Sequence, residues 1–205
     1  MLKNLTVKDF IYETASDSPA PGGGSVAALS AASAAALIEM VANLTLGKKG
    51  YEEVQEEMEE VKKVAASYKE KFVNYIDEDS DSFNKIMAAF KMPKDTDEEK
   101  AERSKVIQLS YKGAANVPLN VAKDAFALLP WAEKAVLKGN QNAVTDGAVA
   151  AMSARTAVLS ALYNVKINLG SIKDMDFVNE VKKEVEELES KVNLIEKDIL
   201  SKVNL

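Results

Sequence analysis

Two stretches of almost exclusively small side chains constrain the fold of this chain more than any other feature. From Ser25 to Ala36 every residue is alanine or serine except Val26 and Leu29. The stretch Ala143–Ala161 is similar, with small residues at positions 148, 150, 151, 153, 154, 157, 160 and 161. Small side chains let helix axes approach closely, and a helix that is small on every face is normally buried on every face. We therefore expect two helices that pack together at the centre of a bundle.

The rest of the chain has the apolar periodicity of amphipathic helices and almost none of the alternation typical of strands. Helix-length segments are predicted at residues 6–15, 25–46, 51–91, 96–116, 118–137, 144–164 and 174–203. Pro118 and Pro130 are expected to kink or divide their region, and a short extended piece is expected only near residues 165–167. No linker rich in Gly, Ser or Pro divides the chain, so residues 1–205 are predicted to form a single all-α domain: a helical bundle with two central small-residue helices and long amphipathic outer helices.

Composition excludes several classes of function. The net charge of -6 and the pI near 5.0 argue against nucleic acid as a partner. The chain has no cysteine and no histidine, so it lacks a thiol nucleophile, the usual general base and the usual transition-metal ligands. We expect no metal site. Acid–base chemistry must then fall to Asp, Glu, Lys or Tyr, or to the substrate itself.

The first small-residue helix is long enough to raise the question of a membrane span. It is dominated by Ala and Ser, however, and it carries Glu39 and Asn43. We interpret it as the buried helix of a soluble protein without membrane contact. The first ten residues are mixed and charged, unlike a secretory signal, and the expected compartment is the cytoplasm.

A glycine-rich loop, Pro19-Ala20-Pro21-Gly22-Gly23-Gly24-Ser25, precedes this helix. The prolines favour an extended approach, the glycines open backbone conformations closed to other residues, and Ser25 is a reasonable N-cap. Free N–H groups at such a helix start favour an anion or an electron-rich ligand, although the loop could also be a simple linker. It does not follow a strand, which excludes a P-loop or a Rossmann fingerprint.

A carboxylate lies in register with a long apolar seam. The seam recurs at intervals of three and four and consists of Val54, Met58, Val61, Ala65, Tyr68, Phe72 and Tyr75. The next position in that register is Asp79. A carboxylate that faces the core must be desolvated, paired with another group or used in the chemistry of a site, and burial alone raises its pKa. The alternative is that the helix ends near Ile76 and that Asp79 caps a new one.

Two further polar segments flank the second small-residue helix. Residues 139–146 supply Asn140, Asn142, Thr145 and Asp146 ahead of it, and residues 164–169 supply Asn164 and Asn168 where it is expected to stop. These groups could bind a ligand, or they could serve as caps and turns.

Lys48 and Lys49 are the main basic candidates. They lie between Gly47 and Gly50 after the first small-residue helix, and with Tyr51 they could hold an anionic tail. Exposed lysines usually do nothing so specific, which is the alternative here.

Together these motifs resemble the cyclodeaminase/cyclohydrolase domain, which forms the C-terminal half of formiminotransferase-cyclodeaminase and also occurs as a stand-alone bacterial protein. The resemblance covers nearly the full chain. It is carried by residues 19–25, 39–45, 48–51, Asp79 with Phe83, Val117-Pro118, residues 139–146 and residues 164–169. Ser82, where the family commonly has alanine, is a small departure.

The resemblance implies a homodimeric all-α folate enzyme with no cofactor beyond the folate. Such an enzyme would cyclise 5-formimino-tetrahydrofolate to 5,10-methenyl-tetrahydrofolate with release of ammonia, or would hydrolyse the methenyl compound to 10-formyl-tetrahydrofolate. Asp79 or Asp146 would transfer the proton, and Lys48 with Lys49 would receive the glutamate tail of a folate, possibly polyglutamylated. The implied substrate-binding residues are Pro21, Gly22, Gly23, Gly24, Ser25, Asn43, Lys48, Lys49, Tyr51, Asn140, Asn142, Asn164 and Asn168. The alternative is a bundle that binds folate, or serves as a scaffold, without catalysis.

Overall fold

The computed structural model describes all 205 residues, and its regular structure is helical with no strands. The α-helices are α1 (Val7–Thr14), α2 (Gly23–Thr45), α3 (Gln55–Phe90), α4 (Asp97–Ala127), α5 (Leu129–Lys138), α6 (Val144–Leu169) and α7 (Met175–Ser201). Short 3-10 turns occupy Leu2–Asn4, Glu52–Val54 and Gln141–Ala143. The all-α prediction is confirmed.

Two local predictions about helix continuity are wrong. Pro118 does not divide its region: α4 runs through it, and the chain breaks at Leu128, just ahead of Pro130 in the first turn of α5. Pro118 is buried, so core packing holds the helix together although the proline removes one backbone hydrogen bond. The extended piece expected near residues 165–167 is helical as well, because Val165 belongs to the core-facing stripe of α6.

The two small-residue helices do lie side by side at the centre, and they run antiparallel. The hydroxyl of Ser30 in α2 donates to the carbonyl of Ser153 in α6 at 3.0 Å, and Gly23 at the start of α2 lies against Asn164 near the end of α6. α3 and α6 both pack on α2, and α4 packs on α3 and α6. One continuous core of 43 buried residues joins these helices.

Neither small-residue helix is buried on every face, which corrects the expectation drawn from their composition. On α2 the side chains of Val26, Met40 and Leu44 are exposed, and on α6 those of Val149 and Met152 are exposed. By length and composition alone α2 could cross a membrane, but 56% of the relevant window is buried inside the bundle. That burial is typical of a core helix.

Candidate active site

Asp79 lies against the first turn of α2, where the glycine-rich loop becomes helical. α3 is continuous from Gln55 to Phe90, so Asp79 belongs to an unbroken helix. The alternative, in which the helix ends near Ile76, is wrong. The seam register therefore turns the carboxylate of Asp79 inward, where it meets a neighbouring helix instead of apolar side chains.

Ser25 binds this carboxylate and does not cap its own helix. α2 begins at Gly23, with Gly22 as the N-cap, so the prediction of Ser25 as N-cap is wrong by three positions. The buried Ser25 hydroxyl lies 3.1 Å from Asp79 Oδ2 and 3.0 Å from the carbonyl of Ile76, two acceptors that share its one proton. The backbone N–H of Ser25 also donates to Asp79. The positive end of α2 thus interacts with a carboxylate of the protein itself.

Burial raises the pKa of Asp79 above its ordinary value, because desolvation disfavours the charged form. The two hydrogen bonds from Ser25 oppose this by stabilising the carboxylate, and desolvation prevails. A raised pKa makes it easier for this carboxylate to take up a proton and then return it, as general acid–base catalysis requires.

The third glycine of the loop is what allows the carboxylate to come this close. A Cβ on Gly24 would lie 2.0 Å from Asp79 Oδ1. A Cβ on Gly23 would meet Asn164 Nδ2 at 3.3 Å, whereas one on Gly22 would find no atom closer than the carbonyl of Pro19 at 3.7 Å. The space requirement is therefore strict at Gly24, moderate at Gly23 and weak at Gly22.

A cleft of about 350 Å³ opens beside Asp79. Its polar side chains are Asp79, Ser80, Ser82, Asn164 and Asn168, its larger apolar ones are Phe83, Ile86 and Ile167, and no lysine or arginine lines it. Ser82 and Phe83 follow Asp79 by three and four residues, a spacing that could have identified both from the sequence. Ala114 and Ile167 could not have been found that way, because α4 and the end of α6 reach the cleft only through tertiary packing.

Asn164 and Asn168 present hydrogen-bond acceptors to this cleft. Asn164 Nδ2 donates to the carbonyl of Ser160, and Asn168 Nδ2 donates to the carbonyls of Ala114 and Asn164. These bonds use the amide N–H groups and leave both Oδ1 atoms without a protein partner. Both residues lie inside α6, so the alternative of turn formation is wrong for them.

A second polar cluster forms at the other end of α2. Lys48 Nζ donates to Asn140 Oδ1 at 2.9 Å, and the backbone N–H of Asn140 donates to Thr45 Oγ1 at 2.8 Å. The Tyr51 hydroxyl accepts from the backbone N–H of Gln141 at 2.9 Å. We call Lys48, Tyr51 and Asn140 the lysine cluster.

The other candidates at this end of the molecule lie around the lysine cluster. Asn43, Lys49 and Asn142 are exposed, and Asp146 lies half-buried in the first turn of α6. Pro21, by contrast, is a buried member of the glycine-rich loop and does not line the cleft.

Within one chain the two clusters are far apart. The 23 residues of α2 separate the glycine-rich loop from the lysine cluster by about 34 Å at the helical rise per residue. Asp146 lies near the start of α6 and Asn164 near its end, about 27 Å apart by the same measure. Asp79 and Asp146 of one chain therefore do not face the same ligand atom. No group of three or more acidic side chains is arranged to hold a metal ion.

An all-α bundle with a buried carboxylate held at a glycine-rich helix start defines the structural class, and comparison with known proteins gives the family. The family model described as formiminotransferase-cyclodeaminase matches residues 6–187. The methenyltetrahydrofolate cyclohydrolase of Methylorubrum extorquens is 38% identical over 208 aligned positions and is covered, like this chain, over 100% of its length. The chain belongs to the formiminotransferase-cyclodeaminase family.

Two further relatives agree with this assignment. The formimidoyltransferase-cyclodeaminase of Sus scrofa is 35% identical over 187 residues, which are 91% of this chain but only 35% of that protein. The crystal structure of formiminotetrahydrofolate cyclodeaminase from Thermotoga maritima superposes with a TM-score of 0.87 at 32% identity, covering 99% of this chain and 98% of the other.

Proposed function

We propose that this protein acts on the one-carbon bridge between N5 and N10 of a tetrahydrofolate. The reaction is either hydrolysis of 5,10-methenyl-tetrahydrofolate to 10-formyl-tetrahydrofolate or cyclisation of 5-formimino-tetrahydrofolate to the methenyl compound with release of ammonia. One observation carries the proposal: the cleft combines the carboxylate of Asp79 with the free Oδ1 atoms of Asn164 and Asn168, and no cationic side chain lines it. The full-length match to a stand-alone cyclohydrolase favours hydrolysis.

The charge of the cleft suits the charge of the bridge. The methenyl carbon is cationic, and both reactions pass through a tetrahedral carbon between the two nitrogens. Acceptors fixed in place before the reaction stabilise positive charge on this carbon more effectively than mobile water does.

Asp79 is proposed to move the proton. In hydrolysis a water oxygen attacks the methenyl carbon and one of its protons passes to Asp79. The bond from that carbon to N5 then breaks as the formyl C=O forms, Asp79 delivers its proton to N5, and the second water proton leaves to solvent. In cyclisation N10 attacks the formimino carbon, and the proton lost from N10 passes to the formimino nitrogen. Asp79 delivers a second proton to that nitrogen, which leaves as ammonia as the methenyl cation forms. The raised pKa of Asp79 suits a group that is alternately protonated and ionised.

We further propose that neither reaction needs a cofactor beyond the folate, because hydrolysis and cyclisation transfer only water, ammonia and protons. The protein is proposed to work as a homodimer in the cytoplasm. Its substrate-binding groups are proposed to be the glycine-rich loop, the asparagines of α6 and the lysines after α2.

The absorbance of methenyl-tetrahydrofolate tests this proposal with purified protein. Loss of the methenyl signal faster than the buffer rate marks the cyclohydrolase, and its appearance from 5-formimino-tetrahydrofolate marks the cyclodeaminase. The Asp79→Asn variant supplies the matched control for folate binding without proton transfer. If neither signal changes while folate still binds in calorimetry, the enzymatic proposal is wrong and the non-catalytic binding bundle is correct.

A further inference from the structure

A groove between α3 and α4 continues the cleft beside Asp79. It holds about 500 Å³, and Ser82 lines both spaces. The cleft itself holds about 350 Å³, which is close to the lower limit of roughly 300 Å³ for small-molecule sites. A folate consists of a pterin, an aromatic ring and a glutamate, so we expect it to extend beyond the cleft into an adjoining space.

The α4 wall of the groove is apolar and partly uncovered. Val106, Leu109 and Val117 line this wall, and Leu109 is 58% exposed. Gly113 lies among them, and a Cβ at this position would meet open space, so the wall is recessed there. An aromatic ring seated against such a wall would remove apolar surface of both the ring and Leu109 from water, which favours binding.

The charge of the α3 wall changes sign along the helix. Glu78 and Asp81 flank Asp79 in the sequence and belong to the end of the groove beside the cleft. Lys85 lies six residues beyond Asp79, which is about 9 Å along the helix axis. Its ammonium group forms no ion pair within the chain. The groove therefore presents carboxylates next to the cleft and a free cation farther along.

We infer that this groove binds the p-aminobenzoyl-glutamate part of the folate, with Lys85 in contact with a carboxylate of the first glutamate. The order of the chemical groups agrees with the order of the residues. The reacting bridge lies at Asp79, the aromatic ring is attached to N10, and one amide joins the ring to the glutamate. A ligand that is cationic at its bridge and anionic at its glutamate complements the change of charge along α3. The inference rests on the proposed function for the identity of the ligand.

Lys85 and the lysines after α2 would serve different parts of a polyglutamylated substrate. The lysine cluster lies about 34 Å from the glycine-rich loop in the same chain, farther than a single glutamate extends from the bridge. Lys85 is within that extent. A substrate with one glutamate therefore depends on Lys85, whereas the outer glutamates of a longer tail extend toward more distant lysines.

A matched pair of ligands tests the role of Lys85 independently of turnover. 5-Formyl-tetrahydrofolate carries the glutamate, 5-formyl-tetrahydropteroate lacks it, and calorimetry gives the Kd of each. Loss of one ionic contact at an exposed lysine should weaken binding of the folate by about two- to five-fold in Lys85→Gln and should leave the pteroate unchanged. Lys85→Glu should weaken the folate further by repulsion.

The control for this measurement is Lys63→Gln, at an exposed lysine of α3 that does not line the groove. It should bind both ligands as the natural protein does. The same ratio of folate to pteroate Kd values in Lys85→Glu and in the natural protein would overturn the inference.

Filling the groove tests the position of the aromatic ring. Gly113→Leu places a side chain in the open space, and leucine has the higher helix propensity, so the variant should stay folded. The Kd of both ligands should rise by about ten-fold or more, because both contain the displaced ring. Ser104→Leu, at an exposed position of α4 outside the groove, should bind both normally. Natural Kd values in a Gly113→Leu variant that is folded by circular dichroism would show that the ring lies elsewhere.

Turnover separates this inference from the proposed function. With the monoglutamyl methenyl substrate, Lys85→Gln should raise KM and leave kcat unchanged, because the reacting bridge stays at Asp79. If the natural protein binds both 5-formyl ligands but turns over no folate, the proposed function fails, and the two Kd values still decide the groove. If it turns over the methenyl substrate but binds 5-formyl-tetrahydrofolate no more tightly than the pteroate, Lys85 contacts no glutamate and the inference is wrong.

Discussion

At the residue scale, the site depends on the balance between burial of Asp79 and its two hydrogen bonds from Ser25. Burial raises the pKa of the carboxyl group, and the hydroxyl and amide of Ser25 lower it. The acid–base behaviour proposed for Asp79 therefore depends on its contact with Ser25, a residue of another helix that lies 54 positions away in the sequence. Changing either partner should move the pH dependence.

Ser25→Ala removes the hydroxyl while it keeps the backbone N–H. The pKa of Asp79 should then rise further, because burial still disfavours the carboxylate and one opposing hydrogen bond is lost. Asp79 must be ionised to act as the proposed base, so the acid limb of kcat/KM should move to higher pH. Ser67→Ala, at an exposed serine of α3, is the control and should leave the limb unchanged. An acid limb at the same pH in Ser25→Ala would contradict this role.

Gly24→Ala should displace Asp79 from the start of α2. Its Cβ would lie 2.0 Å from Asp79 Oδ1, so the carboxylate must move. We expect a loss of activity comparable to that of Asp79→Asn and a loss of about 1–3 kcal/mol in unfolding free energy, as for other overpacked sites. Gly22→Ala should be much more stable than Gly24→Ala in the same denaturation experiment, because a Cβ on Gly22 would lie 3.7 Å from the nearest atom.

A double-mutant cycle separates this steric effect from helix propensity. In an Asp79→Gly background the clash is gone, and Gly24→Ala should cost little or should stabilise the protein. Equal destabilisation in both backgrounds would show that Asp79 is not the group displaced.

At the element scale, two glycine positions, one inside a helix and one just after a helix, should respond in opposite directions to alanine. Gly113 in α4 has open space around it, so Gly113→Ala should raise the unfolding free energy by about 0.5–1 kcal/mol through helix propensity. A Cβ on Gly139, after α5, would lie 2.3 Å from the carbonyl of Ala135 and 2.4 Å from Val41 Cγ1. Gly139→Ala should therefore lower the unfolding free energy by about 1–3 kcal/mol.

Chemical denaturation measures both changes. Similar effects at the two positions would show that the tight approach of α5 to α2 at Gly139 does not contribute to stability.

The elements were largely predictable from the sequence, because apolar periodicity is a local property. The seam that ends in Asp79 correctly predicted an unbroken α3 with an inward carboxylate. Three local signals misled: Ser25 looked like a cap, Pro118 like a break and Asn164 like a turn residue. In each case a tertiary contact decides the outcome. Ser25 binds the Asp79 carboxylate, and Pro118 is buried in the core. Asn164 stays helical because α6 continues past it to Leu169 and packs in the bundle.

The arrangement of the site was less predictable. The sequence places Asp79 and Asp146 on equal terms as proton-transfer residues, and the resemblance assigns Lys48 and Lys49 to the tail of the same ligand. Only the antiparallel packing of α2 and α6 separates the start of one helix from the start of the other. Linear spacing carries no information about that direction, so one predicted site became two clusters within the chain.

At the scale of the whole molecule, charge is distributed according to the two parts of the proposed substrate. The cleft offers acceptors to a cationic bridge, and Lys85 lines the groove that adjoins this cleft through Ser82. Function here depends on how the helices assemble as well as on the residues themselves.

Turnover of methenyl-tetrahydrofolate by Asp79→Asn tests the central claim most directly. Loss of the proton-transfer group should lower kcat on the order of 10²–10⁴-fold, the usual contribution of general acid–base catalysis. The matched control is Asp124→Asn: this carboxylate on α4 pairs with Lys71 at 2.6 Å and with Tyr75 at 2.9 Å and does not line the cleft. The account predicts a control close to the natural protein and a nearly inactive Asp79→Asn variant that still binds folate. An Asp79→Asn variant with natural kcat would contradict it.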